Sequence, residues 1–288
     1  MQLFDSHAHL ESPRFDPDRE QVIARAISVG VTRVLSCGSN LATSEAEVML
    51  ARQHQGVYAA IGIHAHEASS ALRQTPDKPQ SLELDERAFE RLREMAMERG
   101  VVAVGEIGLD YHYDFSPREA QRLVLARQLA LAGELGLPVI LHNRESDEDL
   151  RRAVEAAPRS LRGMLHCFLA DQKMADWALA RGLYIGVAGP ITFEKVRHLP
   201  DIVRRIPLDR LLIETDAPYL TPRPKRGQVL LPHTVNEKQD LSGGQRNEPA
   251  FVRYVAERLA EILGLPLEEL AQRTTENACR LFRISQDC

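Results

Sequence analysis

The chain has 288 residues and a formal net charge of −5 at pH 7, and it is 44% hydrophobic and 27% charged. An ordinary apolar fraction excludes wholesale disorder, and 17 glycines and 16 prolines are too few for a collagen-like or low-complexity chain. The mild acidity argues against a protein that coats nucleic acid through a broad basic surface, but it is compatible with one local phosphate site.

The chain begins without a basic segment followed by an apolar one, and it contains no run of about 18 apolar residues. The cysteines are scattered and form no C-x-x-C pair, so neither a disulfide framework nor a zinc finger is expected. We therefore expect a cytoplasmic protein that does not enter a membrane and whose cysteines are free thiols: Cys37, Cys167, Cys279 and Cys288.

Eight short apolar runs, each bounded by glycine, proline or polar residues, predict strands that are buried on both faces. In chain order these strands are 3–9, 33–37, 58–64, 101–107, 137–142, 163–168, 183–188 and 211–216. Helices are predicted over 16–29, 85–99, 116–135, 147–156, 170–181, 249–263 and 267–282. The clearest helix start is Ser116-Pro117-Arg118-Glu119, which predicts Ser116 as the N-cap, and Gly136 is the expected end of that helix.

Strands that alternate with helices over this length predict a single (β/α)8 TIM-barrel domain covering residues 1–288. A doubly wound open sheet is the competing architecture, but no G-x-G-x-x-G turn follows the first strand. One long irregular stretch, residues 221–248 after the eighth strand, is rich in proline, glycine and basic residues. A loop of that length inside a compact domain is predicted to be functional.

Histidines and carboxylates cluster at the predicted carboxyl ends of the strands, where TIM barrels build their active sites. Six of the ten histidines lie there, together with one glutamate and one aspartate: His7, His9, His64, His66, His142, His166, Glu106 and Asp216. His7 and His9 are two residues apart on a strand and so point to the same side, where their imidazoles can share a cation.

These ligands predict a dimetal hydrolase. Four of these histidines (His7, His9, His142 and His166), together with Glu106 and Asp216, are more ligands than the three protein ligands of one catalytic zinc. We therefore expect two divalent cations with Glu106 as the bridge. Imidazole favours zinc, manganese or iron over magnesium, and Zn²⁺, Mn²⁺ and Mg²⁺ all remain open. Asp216 suits either a terminal ligand or a catalytic base that acts on metal-activated water. His64 and His66 could bind a third metal, orient a phosphate or line the rim.

Seven motifs in order along the chain resemble those of the TatD family of metal-dependent deoxyribonucleases. They are Asp5-Ser6-His7-Ala8-His9, Gly62-Ile63-His64, Gly105-Glu106-Ile107-Gly108-Leu109-Asp110, Leu141-His142, His166-Cys167-Phe168, Glu214-Thr215-Asp216-Ala217-Pro218 and Arg246-Asn247-Glu248-Pro249. The resemblance implies a TIM barrel that hydrolyses phosphodiester bonds, as a 3′–5′ exonuclease on single-stranded DNA ends. It also implies that His7, His9 and Asp216 hold one ion, that His142 and His166 hold the other, and that Glu106 bridges them.

The chain departs from the family pattern at three places. His64-Ala65-His66 stands where His-Pro-His is usual, His142-Asn143-Arg144 stands where His-Ser-Arg is frequent, and the stretch between Arg223 and Arg246 is longer than usual. An alternative is therefore a dimetal hydrolase of another ester or amide, such as a D-aminoacyl-tRNA deacylase or a cyclic amidohydrolase. A non-catalytic protein on a degenerate barrel is disfavoured, because binding alone would not require six metal ligands.

For the substrate, we expect His64, Arg144 and Arg246 to bind the DNA, since guanidinium groups bind phosphate in a bidentate way. Further basic residues of the same predicted loops are Arg223, Lys225 and Arg226. Aromatic residues make up only 5% of the chain, so stacking is limited to one or two terminal bases. The candidates for that stacking are Tyr111, Tyr113, Phe168 and Tyr219. The protein is expected to act as a monomer.

Overall fold

The structure is a computed structural model that describes residues 1–73, 82–226 and 246–285. Eight strands form one sheet in the order β1-β2-β3-β6-β7-β8-β9-β10. Their bounds are β1 Leu3–Ala8, β2 Val31–Cys37, β3 Val57–Ile61, β6 Val101–Asp110, β7 Val139–Arg144, β8 Gly163–Leu165, β9 Tyr184–Val187 and β10 Leu211–Ile213. Between β3 and β6, the strands β4 (Leu72–Arg73) and β5 (Glu83–Leu84) form a separate antiparallel pair.

Helices alternate with these strands. They are α1 Arg19–Ser28, α2 Leu41–Gln53, α3 Glu86–Met95, α4 Arg118–Leu135, α5 Asp147–Ala156, α6 Gln172–Ala180, α7 Leu199–Val203, α8 Val252–Leu263 and α9 Leu267–Phe282. The pairs β1–β2, β3–β6, β6–β7, β7–β8 and β9–β10 are parallel. A parallel bridge between Ala8 and Ala217 joins the segment after β10 to β1. The predicted (β/α)8 TIM-barrel fold is confirmed.

The chain groups into two compact units, one made of residues 1–36 with 166–288 and the other of residues 37–165. That the whole chain works as one hydrolase domain stays a prediction. Of the predicted functional loop at 221–248, residues 227–245 lie outside the described part of the chain. Within the described residues, no helix is both long and apolar enough to cross a membrane.

In the unit of residues 1–36 and 166–288, helix α9 packs its apolar face against β1 and β10. Leu270, Leu281 and Phe282 are buried on that face, and Phe282 meets Phe4 of β1 with ring centroids 6.1 Å apart. Leu270 and Leu281 are eleven residues apart, a spacing that brings side chains to one side of a helix. The apolar periodicity of 267–282 therefore decides which face of α9 is buried.

The unit of residues 37–165 has its own core under helices α2, α3 and α4. Ile61 of β3, Phe89 and Leu92 of α3, and Val124 and Leu131 of α4 are all buried together there. Helix α2 was not predicted from the sequence, because its capping box pairs Asn40 with Thr43 in place of the usual acidic residue or glutamine.

The N-cap residue predicted for α4 is wrong. Pro117, and not Ser116, is the N-cap, and it makes no side-chain capping bond. The Ser116 hydroxyl instead donates to the carbonyl of His66 at 2.8 Å and accepts from the amide of Ser69 at 3.1 Å. The predicted end is confirmed, since Gly136 is the C-cap with φ of 66°, in the left-handed region that glycine tolerates.

We predict that Asn277→Leu lowers the free energy of unfolding by about 1–3 kcal/mol, because buried carbonyls lose a donor. Asn277 is buried in α9, and its Nδ2 donates to the carbonyls of Leu208 at 2.8 Å and Leu211 at 2.9 Å. Urea unfolding in EDTA, which excludes stabilisation by metals, measures the change. Gln272→Ala, at an exposed position of the same helix, is the matched control, and an equal loss there would contradict the prediction.

Candidate metal-ligand groups

The unit of residues 1–36 and 166–288 carries a group of three converging ligand atoms. His7 lies in β1, His9 follows it, and Asp216 follows β10. The two Nε2 atoms are 3.2 Å apart, and Oδ1 of Asp216 lies 3.6 Å from that of His7 and 3.5 Å from that of His9. Asp216 has φ of 56°, a left-handed conformation that aspartate adopts more readily than most residues do.

His166 lies beside this group. Its ring stacks on that of His7 with centroids 4.0 Å apart and an angle of 19° between the planes. Its Nδ1 lies 3.5 Å from Oε1 of Glu214, which is fully buried and also accepts the backbone amide of Cys167. The carboxylate beside Nδ1 favours a proton there and so leaves Nε2 as the ligand atom of His166. Glu214 therefore has the buried, hydrogen-bonded environment of a positioning carboxylate.

Buried hydrogen bonds hold the backbone beside Asp216 in place. Asp5 of β1 accepts from the amide of Thr215 at 2.8 Å and from its hydroxyl at 2.5 Å. Asn247 donates from Nδ2 to the carbonyls of Thr215 at 2.9 Å and Tyr219 at 2.6 Å. Burial raises the pKa of Asp5 well above its usual range, and the bonds from Thr215 partly oppose that rise. The segment that carries Asp216 is therefore held from two sides by residues distant in sequence.

The unit of residues 37–165 carries a second group. Glu106 lies in β6, His142 lies in β7, and His64 follows β3. Oε1 of Glu106 is 2.9 Å from Nδ1 of His142 and 3.4 Å from Nε2 of His64. Glu106 and His64 are buried, whereas His142 is partly exposed. The structure thus brings the predicted substrate residue His64 beside two predicted metal ligands.

His64 is arranged as a hydrogen-bond donor. Its Nδ1 accepts the backbone amide of His66 at 3.2 Å, so the proton of the neutral ring lies on Nε2, which faces Glu106. Burial lowers the pKa of His64 to about 4, against the opposing effect of Glu106. The ring is therefore neutral at pH 7 and presents an N–H. This geometry suits a group that binds an anion better than a metal ligand.

Asp110, at the end of β6, is a site residue that the sequence indicated only as part of a motif. Its Oδ2 lies 2.8 Å from Nε2 of His66 and 3.3 Å from Nε2 of His142, and its Oδ1 accepts the amides of His112 and Tyr113. Burial alone would raise the pKa of Asp110, but the bonds from both imidazoles and from Tyr113 lower it below its usual range. An ionised Asp110 holds the proton of His142 on Nε2 and leaves Nδ1 toward Glu106.

Two buried glutamines of α4 fix the strand ends beside this group. Gln128 accepts from the amide of Ile63 at 2.8 Å and donates to its carbonyl at 2.9 Å, directly before His64. Gln121 does the same for Asp110, at 2.8 and 3.0 Å. Seven residues separate the two glutamines, which places them on one face of the helix. A period of seven in polar residues inside an apolar helix is the signal that could have revealed them.

The donor atoms of both groups fit divalent cations. Ligand atoms about 2.0–2.1 Å from one cation lie about 3.3 Å apart in a tetrahedral site and about 2.9 Å apart at a right angle. The distances within each group lie close to those values, between 2.9 and 3.6 Å. Moreover, Nδ1 of His142 and the carboxylate of Glu106 are both acceptors when His142 is neutral, and a cation between them relieves their repulsion. His7, His9 and Asp216 could hold one cation, and Glu106 with His142 could hold another.

The two predicted arginines differ in their surroundings. Arg144, at the end of β7, is exposed, and its guanidinium lies 4.9 Å from the ring centroid of Tyr113. Arg246 is largely buried against Asp18, with bonds of 2.6 and 2.9 Å to both carboxylate oxygens. Bonds from Arg246 and Arg25 lower the pKa of Asp18. The contact that Arg246 is predicted to make with DNA therefore competes with a bidentate ion pair.

The remaining residues that were predicted to contact DNA each make local contacts within the protein. Arg223 pairs with Glu194 at 2.7 Å, and the guanidinium of Arg226 lies over the ring of Phe193. The hydroxyl of Tyr111 donates a hydrogen bond to Asp149 at 2.6 Å, so the polar end of this side chain already has a partner. Tyr219 meets His9 edge to face with centroids 6.0 Å apart. Among the aromatic candidates, Tyr113 and Tyr219 therefore lie in contact with ligand-group histidines or their neighbours.

Comparisons with known proteins identify relatives over the full length. The family described as TatD related DNase matches residues 4–283. An uncharacterized metal-dependent hydrolase, YabD of Bacillus subtilis, is 38% identical over 98% of this chain and 100% of its own length. The 3′-5′ ssDNA/RNA exonuclease TatD of Enterobacter lignolyticus is 34% identical over 98% and 100%. The crystal structure of YJJV, a TatD homolog from Escherichia coli, superposes with a TM-score of 0.81, 29% identity and 98% coverage of both chains.

We predict that the metal-free protein loses stability as the pH falls from 6.5 to about 4, because His64 stays neutral there while the unfolded chain gains a proton. The contribution is fully present above pH 6.5 and amounts to at most about 3 kcal/mol. Urea unfolding in EDTA across this range measures it. His64→Asn should flatten the slope, whereas His198→Asn, at an exposed position, should not. An NMR titration of His64 with a midpoint near 6.5 would contradict the prediction.

Proposed function

The chain belongs to the TatD-related DNase family, and from that premise we propose that it removes nucleotides from the 3′ ends of single-stranded DNA. It is a metal-dependent hydrolase of ester bonds, as the family and the curated relatives indicate. The TatD exonucleases among those relatives are named for both single-stranded DNA and RNA. Our proposal takes DNA as the substrate and makes RNA an outcome of the assays.

The observation that carries the proposal is the gathering of imidazole and carboxylate atoms at the carboxyl ends of parallel strands. We propose two divalent cations per chain, drawn from Zn²⁺, Mn²⁺ and Mg²⁺. His7, His9 and Asp216 bind one. As the resemblance implies, His142 and His166 bind the other, and Glu106 is the bridging carboxylate. Imidazole-rich ligand sets favour zinc or manganese over magnesium, which prefers oxygen and water.

When bound, the cations supply Lewis acidity and a water of lowered pKa. The protein's own groups do the rest. Although burial opposes it, the bond from His9 and the nearby imidazoles of His7 and His166 lower the pKa of Asp216, which is therefore ionised at neutral pH. Asp216 can accept a proton from the attacking water, and we assign Glu106 as the second catalytic carboxylate.

We assign substrate binding to neutral and cationic hydrogen-bond donors. His64 donates from Nε2 to a phosphate oxygen, since its Nδ1 is occupied by a backbone amide. Arg144 is exposed and binds phosphate directly. Arg246 is held by Asp18, so we expect it to influence binding through the position of its segment. The described cysteines are free thiols, which suits a reducing cytoplasm, where we propose that the protein acts as a monomer.

We predict that EDTA abolishes release of nucleotides from labelled single-stranded DNA and that one of Zn²⁺, Mn²⁺ or Mg²⁺ restores it. Elemental analysis of the active protein should give two metal ions per chain, because there are two ligand groups. Matched assays use labelled RNA, blunt duplex DNA, aminoacyl esters and cyclic amides. Metal-dependent cleavage of the esters or amides with no loss of DNA would contradict the nuclease proposal while leaving the hydrolase class intact.

We predict that Glu106→Gln lowers the rate of DNA hydrolysis at least about a hundredfold, because the bridging charge is lost while the shape of the side chain is kept. The number of bound metal ions should fall from two to one, and the melting temperature should change little. Glu90→Gln, an exposed position on α3, is the matched control.

Glu106→Gln protein that keeps two ions and full activity would refute the bridging role. Loss of activity together with loss of the folded state would be seen in the melting curve, and Glu106→Asp then serves as the second variant. Its shorter carboxylate keeps the charge, so it should retain more bound metal than Glu106→Gln.

A further inference from the structure

An exposed pair of stacked aromatic rings follows β6 in the unit of residues 37–165. Phe115 is 68% exposed, the largest fraction of any aromatic side chain among the described residues. Its ring stacks on that of Tyr113 with centroids 5.4 Å apart and 19° between the planes. Burial of an aromatic ring is favourable, so a flat ligand that covers the exposed face of Phe115 would gain from the contact.

This pair is built into the second ligand group. The Phe115 ring meets His66 edge to face at 4.7 Å, and the His66 ring lies 4.4 Å from that of His64. Oδ1 of Asp110 accepts the amide of Tyr113 at 2.8 Å, while its Oδ2 faces His66 and His142. The aromatic pair and the imidazoles are therefore positioned by one carboxylate.

A cation flanks the pair. The guanidinium of Arg144 lies 4.9 Å from the centroid of Tyr113, and no ion pair of Arg144 occurs among the residues that the structure describes. By contrast, the neighbouring Arg118 and His112 are paired with Asp114 and Glu145. Arg144 is thus the cation beside the aromatic pair that can turn to a ligand phosphate. An exposed ring face next to an uncommitted guanidinium matches a nucleotide, which presents a flat base and a phosphate.

We propose that Phe115, Tyr113 and Arg144, here called the Phe115 platform, bind a nucleobase that flanks the scissile phosphodiester. This inference rests on the proposed nuclease function and names the part of the substrate that the protein contacts. Phe115 supplies its exposed face to the base, Tyr113 supports Phe115 from behind, and Arg144 binds the adjoining phosphate. Stacking uses the face of a base and not its edge, so the platform accepts any of the four bases.

The platform accounts for the single-stranded substrate of the proposed function. A base can lie on Phe115 only after it has left its neighbour and its partner in the duplex, which is least costly at an unpaired end. A single stacked ring pair offers room for one or two bases, in keeping with the low aromatic content of the chain. The protein therefore engages the end of a strand and not an extended tract.

The first test measures binding with the metals removed, so that it does not depend on hydrolysis. Single-stranded oligonucleotides carry 2-aminopurine at the last or the penultimate position of the 3′ end, and binding in EDTA is followed by fluorescence quenching. One of the two positions should be quenched on binding. Phe115→Ala should remove that quenching and weaken Kd about five- to thirtyfold, which corresponds to about 1–2 kcal/mol. Phe115→Trp should retain both.

Met97→Ala is the matched control. Met97 is 80% exposed and lies before the start of β6, whereas Phe115 lies after its end. Its removal should leave Kd and quenching unchanged. Because Phe115 is exposed, neither variant is expected to shift the melting temperature, which verifies folding. Equal quenching in wild-type and Phe115→Ala protein, or equal weakening by Met97→Ala, would overturn the proposal.

The second test uses cleavage of oligonucleotides that are abasic at the last or the penultimate position. On the intact strand, Phe115→Ala should raise KM with little change in kcat. On the strand that lacks the stacked base, the variant and the wild type should become equal. An effect of Phe115→Ala that is the same on all three strands would overturn the assignment of a base to Phe115.

The salt dependence of binding separates Arg144 from Phe115. A phosphate contact on single strands contributes about 0.7 to the slope of log Kd against log salt concentration. Arg144→Ala should lower the slope by about that amount, whereas Phe115→Ala should leave it unchanged. Absence of hydrolysis by the wild type would refute the proposed function alone, since quenching is measured without metals. Hydrolysis that ignores Phe115 would refute the platform alone.

Discussion

The constraint on which this structure depends is that backbone groups beyond the last sheet pairing are buried and must still be hydrogen-bonded. Side chains from elsewhere in the chain meet that need at three strand ends that carry site residues. Gln128 binds both backbone groups of Ile63, Gln121 binds those of Asp110, and Asp5 binds the amide of Thr215. Each bond fixes the residue directly before or at a site position, so the scaffold and the site are stabilised by the same contacts.

Electrostatics assign a task to each histidine. A backbone amide at Nδ1 makes His64 a donor, whereas the ionised Asp110 at Nε2 makes His142 an acceptor toward Glu106. Two histidines separated by a few ångströms thus present opposite hydrogen-bonding characters. Burial lowers the pKa of His64 and so keeps that difference at neutral pH. A buried imidazolium would repel the bound metal cations and any neighbouring imidazolium. Neutral rings avoid that cost.

Family motifs and chemical roles do not coincide residue by residue. Arg246, Asn247 and Glu248 belong to a motif of the family, yet all three act on the fold. They bind Asp18, the carbonyls of Thr215 and Tyr219, and Arg25. Phe115 lies outside every quoted motif, yet it is one of the residues that we assign to the substrate. Its exposure beside His66 is visible only when both are seen in three dimensions.

The sequence by itself determined the (β/α)8 fold, most strand positions and the gathering of histidines and carboxylates at strand ends, because apolar runs and strand-end histidines are local patterns in the chain. It could not yield the cap of α4, since Ser116 is drawn to His66 fifty residues away. Nor could it yield the tautomers of His64 and His142, or the stacking of Phe115 on Tyr113. Those depend on which atoms meet across strands and loops, and only tertiary packing decides that, because hydrogen bonds and ring contacts act over a few ångströms regardless of sequence distance.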